Sequence, residues 1–231
     1  MMHTKRLFGL LAMTAITAYA CVKSREESNP SISNKLAESA TPIKSSGEAL
    51  SISPFTKEVG SPVPHDSAMQ WIRNFTSATL AASSALSQQC LVRAQDLDPI
   101  LKQKDCVGIL FYHGYDLQKG WVLMPFGINT SGAIIKSSSV ASSIGVISWE
   151  KAKALKAAYK NVATSIVEGE FFGANTFERL MGIGKATRIQ VRKGINTDGE
   201  RLLLSNADVT TSLYMEDEGR PCPNICPTDG L

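Results

Sequence analysis

Apolar positions recur at helical spacing in two stretches of the chain. Ala68, Trp71, Ile72, Phe75 and Leu80 share one helix face, with Asp66 or Ser67 placed to cap it. Ala152, Leu155, Tyr159 and Val162 share another, with Ser148 as N-cap and Lys151, Lys153, Lys156 and Lys160 largely opposite. Shorter helical runs at 97–102 and 176–181 each precede two strand-like runs. In the later pair Ile189 and Val191 alternate with Arg188, Gln190 and Arg192, which predicts one dry and one wet face. The earlier pair is apolar on both faces (Val107, Ile109, Leu110 and Phe111, then Val122, Leu123 and Met124), which suits a central, covered position. Turns are expected at residues 115–120 and at Asn196-Thr197-Asp198-Gly199, whose Asp-Gly step favours positive φ.

The two sets resemble each other. Residues 108–116 lie over 188–196, and 120–124 over 199–203 after a one-residue slip. The expected fold is therefore α+β, one domain built by internal duplication. Each half reads helix, short helix, hairpin, and the hairpins are expected to share one antiparallel sheet. The domain is read at 65–218, with halves at about 65–139 and 140–215, followed by a Pro/Cys tail at 219–231. Halves of this size would be marginal alone, so a shared core is expected.

The first 64 residues differ in kind. A basic start with Lys5 and Arg6, an apolar run over 7–18 and then Ala18-Tyr19-Ala20-Cys21 describe an export signal at 1–20. The run is too short to span a bilayer, which takes about 20 residues. Ending on cysteine, it resembles a bacterial lipoprotein signal, although Ala18 and Tyr19 depart from the commonest residues at their places. The resemblance implies lipidation at Cys21; ordinary cleavage after Ala20 is the alternative. Residues 21–64 are Ser-rich, interrupted by Pro30, Pro42, Pro54, Pro62 and Pro64, and their apolar residues hold no sustained period. Such composition predicts a flexible tether with a reach of about 35 Å.

Composition narrows the function. At 231 residues, 43% hydrophobic and 19% charged, the chain suits a globular domain with a tail and excludes collagen-like and fully disordered classes. Without Lys5 and Arg6 it holds 22 basic and 21 acidic residues, which gives no footprint for nucleic acid. Beyond Cys21 there are Cys90, Cys106, Cys222 and Cys226. A local Cys222–Cys226 disulfide is expected between Pro221 and Pro227, with a thiol redox pair or half of a metal site as alternatives. Cys90 and Cys106 are either paired or simply buried. His113 is read as an exposed or hydrogen-bonded turn residue. Ser148-Trp149-Glu150-Lys151 lacks the companion motifs of penicillin-recognising enzymes, and no phosphate-cradling loop is seen. No catalytic residue, cofactor or metal ligand is assigned. Asp66-Ser67-Ala68 is similar to O-glycosylation sites of Bacteroidota, but three residues match often by chance and helix capping explains them fully.

Lys23, Glu26 and Glu27 behind Cys21, the closing Cys222-Pro223-Asn224-Ile225-Cys226-Pro227, and Cys106, Gly108, Ile109 and Tyr112 together resemble a group of Bacteroidota cell-envelope lipoproteins. The resemblance implies a lipid-anchored protein of the cell envelope, at the outer membrane, and brings no activity with it. The expectation is a non-enzymatic binding or accessory component of a cell-surface assembly, meeting an envelope protein or a glycan. Tyr112, Tyr115, Trp121 and Phe126 are its candidate binding face. The alternative is an envelope enzyme: a thiol–disulfide oxidoreductase using Cys222 and Cys226, or a hydrolase without a recognised motif.

Overall fold

Ser148 starts the third helix as its sequence requires: its hydroxyl accepts the Lys151 N–H at 3.2 Å, Glu150 occupies the first turn and Lys160 the last. The computed structural model describes residues 53–79, 89–163, 165, 167–182, 185–208, 214–216, 221–222, 226 and 231. The expected signal, Cys21 and the tether as far as residue 52 lie outside the described residues, as do most of the residues after 216.

In chain order the described elements are β1 (Ser61–Val63), α1 (His65–Thr79), β2 (Gln89–Arg93), α2 (Ala94–Leu101), β3 (Cys106–Asp116), β4 (Gly120–Asn129), α3 (Trp149–Val162), β5 (Gly169–Gly173), α4 (Ala174–Gly182), β6 (Arg188–Asn196), β7 (Gly199–Asn206), β8 (Tyr214–Glu216) and β9 (Pro221–Cys222). The fold is α+β. Helix α1 begins at His65, with Ala68 N donating to Pro64 O, so Asp66 and Ser67 lie in its first turn and are not caps.

The strands form two antiparallel sheets, ordered β1-β8-β7-β6-β2 and β4-β3-β5-β9. The two hairpins therefore do not share a sheet, contrary to the expectation from sequence. The physical reason lies in β2 and β5, two short strands that lead into α2 and α4. Each leaves its own hairpin and pairs with the other: Cys90 opposite Val191 of β6, and Glu170 opposite Phe111 of β3. The long helices cross in the same sense. Trp71 of α1 packs at Gly194 of β6, and Leu155 of α3 packs at Gly114 of β3. A side chain at either glycine would place its Cβ 3.0 Å from the helix residue, so glycine sets the approach.

Residues 53–63, expected in the tether, belong to the fold. Phe55, Val59 and Val63 are buried, and Phe55 meets Phe171 edge-on at 5.1 Å. Gly173 N donates to Val59 O at 2.7 Å and Asn175 N to Lys57 O at 3.0 Å. Gly173 permits this approach, because a Cβ there would lie 2.3 Å from Lys57 O. The folded part thus begins no later than Ser53. Lys156 is a second correction. It lies on the inner side of α3, its ammonium 3.9 Å from the Tyr112 ring centroid and 3.2 Å from Glu168. A long stem packs while the charged head finds a carboxylate.

Candidate functional site

The inner face of β6 continues from Ile189 and Val191 to Lys193, which is 1% exposed. Its ammonium donates to Tyr159 Oη at 2.9 Å and to Glu200 Oε1 at 2.8 Å. It also lies 4.9 Å from the Trp121 ring centroid, 5.0 Å from Tyr159 and 5.5 Å from Phe75. Burial pulls Lys193 toward the neutral form, but Glu200 and Tyr159 outweigh it and hold its pKa above the ordinary value. Burial pushes the Tyr159 hydroxyl up.

His113 stands beside this group on β3, fully buried in mid-strand, which corrects its reading as a turn residue. Its ring stacks between Tyr159 at 5.0 Å and Trp121 at 5.7 Å. Trp121 Nε1 donates to Nδ1 at 2.9 Å, so the imidazole proton resides on Nε2, which has no partner among the described residues. Burial, reinforced by Lys193, drives the His113 pKa well below 6.5. Between the two sheets, Leu202 N donates to the buried Glu170 Oε2 at 2.7 Å and Cys90 Sγ contacts Trp121 O at 3.5 Å.

These polar groups are closed away from the surface hollows. One hollow is a groove of about 270 Å³ between α2, β4 and the segment 134–147. Its walls include Pro99, Ile100, Ile135, Val140 and Val146, with Gln103 and Asp96 as polar lining. Asp96 is already held by Arg93 at 2.8 and 2.9 Å. Trp149 Nε1 donates to Ser137 O at 2.8 Å, and Val140 bridges Ile147, which fixes the far wall. A second, shallower hollow of about 440 Å³ lies where Tyr115 and Leu117 at the first hairpin tip face Ala154 and Ala158 of α3. The Asp116–Lys151 pair at 3.1 Å crosses it.

The residues singled out from sequence separate accordingly. Tyr112, Trp121 and Phe126 are 1%, 2% and 4% exposed, and Tyr115 is half-buried, so the four do not make an exposed aromatic face. The three buried ones are core because both faces of β3 and β4 are covered: Ala152 and Leu155 of α3, Phe55 and the 134–147 segment pack on one side, and Tyr159 of α3 with β2 and β6 on the other. Cys222 and Cys226 are joined by a disulfide, and Cys222 is fully buried in β9. Cys90 and Cys106 are free and buried, and burial pushes the Cys90 thiol up to about 11. Cys21 lies outside the described residues. Among the described residues no three His, Cys, Asp or Glu side chains gather as a metal site, and no helix is long and apolar enough to cross a membrane.

Sequence reasoning missed Lys193, Glu200 and Tyr159 as a group. One sign was present: Lys193 falls on the dry side of an alternating strand, where a charge needs a partner. The groove was not legible at all, because its walls come from three separated segments. Comparison of the chain with models of known protein families, with curated proteins and with solved structures finds no match.

Proposed function

We propose that this protein is a lipid-anchored component of the bacterial cell envelope, held through Cys21 at the outer membrane, whose α+β domain binds a partner and performs no catalysis. The supporting observation is the separation of charge from access. Lys193, Tyr159, His113 and Trp121 are engaged with one another in the interior beside the partly buried Glu200, while the groove presents aliphatic, hydroxyl, amide and main-chain groups and one carboxylate, Asp96, that is paired with Arg93. Such a lining suits recognition. The domain is further proposed to descend from duplication of one unit. The pairs Cys90 and Glu170, Leu97 and Phe177, His113 and Lys193, and Gly114 and Gly194 recur at a constant interval of 80 residues. Each member occupies the corresponding place in its half.

The anchor is tested by mass analysis of the N-terminal peptide from the membrane fraction. Expected is Cys21 as the first residue, carrying acyl chains, and loss of membrane attachment in Cys21→Ala. An unmodified Cys21 in soluble protein overturns the anchor. The binding role is tested by photo-crosslinking from Val146 at the groove rim in the source cells, where a single captured partner is expected and recovery of bulk envelope proteins alone overturns it.

A further inference from the structure

The outer edge of β4 is paired at both ends and open between them. At one end Ser143 N donates to Leu123 O at 2.9 Å, and Leu123 N donates to Ser143 Oγ at 3.1 Å. At the other end Ile135 N donates to Gly127 O at 2.8 Å and Asn129 N to Ala133 O at 3.0 Å. In an antiparallel sheet main-chain groups alternate between the two sides, so Leu123, Pro125, Gly127 and Asn129 all direct theirs away from β3. That leaves the Pro125 carbonyl and the Gly127 N–H facing the groove, with no bond to either among the described residues. Both residues are buried, and a buried main-chain donor and acceptor left open carry a free-energy cost that an occupant would remove.

The geometry points to a short extended segment of a partner protein as that occupant, added to β4 as a strand opposite Phe126. One residue of a parallel strand, or the two residues flanking the central one in an antiparallel strand, supplies both the donor for Pro125 O and the acceptor for Gly127 N–H. The added strand continues a ladder that residues 133–135 and Ser143 already form on this edge. The side-chain walls, Pro99 and Ile100 on one side and Ile135, Val140 and Val146 on the other, suit small apolar side chains. The lining holds one carboxylate, Asp96, and Arg93 neutralises it, so the segment is neutral. Pro125 has no N–H to offer, which limits the pairing to about three residues. This assignment rests on the binding reading above and names its site and ligand class.

The test selects a random seven-residue phage-displayed library against the purified protein, and the enriched peptide is then synthesised. Expected is a neutral sequence with alternating apolar residues whose binding slows deuterium exchange of the Gly127 amide at least tenfold. Val146→Asp at the exposed rim weakens binding more than tenfold. Pro125→Ala restores an outward N–H and tightens binding about threefold to tenfold, the effect of one added hydrogen bond. Circular dichroism checks that both variants keep the fold. No enrichment over bare support, protection that maps away from residues 125–127, or unchanged affinity in Pro125→Ala overturns strand addition. If selection fails while crosslinking in cells still recovers a partner, strand addition is wrong and the binding reading survives.

Discussion

Trp121 Nε1 donates to His113 Nδ1 at 2.9 Å, and because an indole N–H is a donor alone, this bond exists while Nδ1 is unprotonated. The His113 pKa in the folded protein lies well below 6.5, first through burial and then through Lys193. Below pH 6.5 the unfolded chain therefore takes up a proton that the folded chain refuses. Stability is fully present above pH 6.5 and falls as the pH drops through that value toward the folded pKa, by up to about 1.4 kcal/mol per pH unit. Urea midpoints between pH 5 and 8 measure this slope. His113→Gln keeps an acceptor for Trp121 and should flatten it, and an unchanged slope would place the acid sensitivity elsewhere.

The Lys193–Glu200 pair is the next point of leverage. Lys193→Ala leaves a partly buried carboxylate and the Tyr159 hydroxyl without their cation, which should cost about 3–5 kcal/mol. Replacing both ends, as Lys193→Met with Glu200→Leu, should recover most of that loss. A double-mutant cycle in chemical denaturation gives the coupling.

Gly114→Ala and Gly194→Ala should each destabilise the domain by about 1–3 kcal/mol, since each new Cβ lies 3.0 Å from the Cβ of Leu155 or Trp71. Similar losses at both positions are the expected sign of equivalent helix-on-hairpin contacts. A large effect at one and none at the other would count against that equivalence. Thermal unfolding of the two variants measures it.

Thiol chemistry makes a separate prediction. At pH 8 native protein should leave Cys90 and Cys106 unlabelled by a thiol reagent, because both are buried and the Cys90 thiol is pushed up to about 11. Replacing Cys222 and Cys226 by serine should cost no more than about 2 kcal/mol, since the disulfide closes a short loop. Fast labelling of the native thiols, or reduction of Cys222–Cys226 by mild thiols, would revive the redox reading.

The sequence was most informative where structure is local. Ser148 caps α3 as its position predicts, and both hairpins and both short helices lie close to their expected positions. It was silent where partners are remote. Gln89–Arg93 alternates exposed and buried residues, yet nothing in five residues says that its partner is β6, about 100 positions away. Gly169–Gly173 is buried throughout and shows no alternation to read. The polar, irregular run before Pro64 conceals Phe55 and Val59, which lie beside a backbone approach that Gly173 permits, and Val63, which packs with Leu203 and Tyr214. Tyr112, Trp121 and Phe126 suggest a binding face in sequence because aromatic residues serve both cores and interfaces, and composition cannot separate the two uses.

The most direct test of the binding role places a photo-crosslinking residue at Val146, on the groove rim and 67% exposed, in protein expressed in its source cells. A second variant carries it at Leu117, 90% exposed at the hairpin tip, as the control. Mass spectrometry then quantifies what each position captures. The predicted result is one partner in near-equal amount from Val146 and none in comparable amount from Leu117. Recovery of bulk envelope proteins alone from both positions would contradict the binding role.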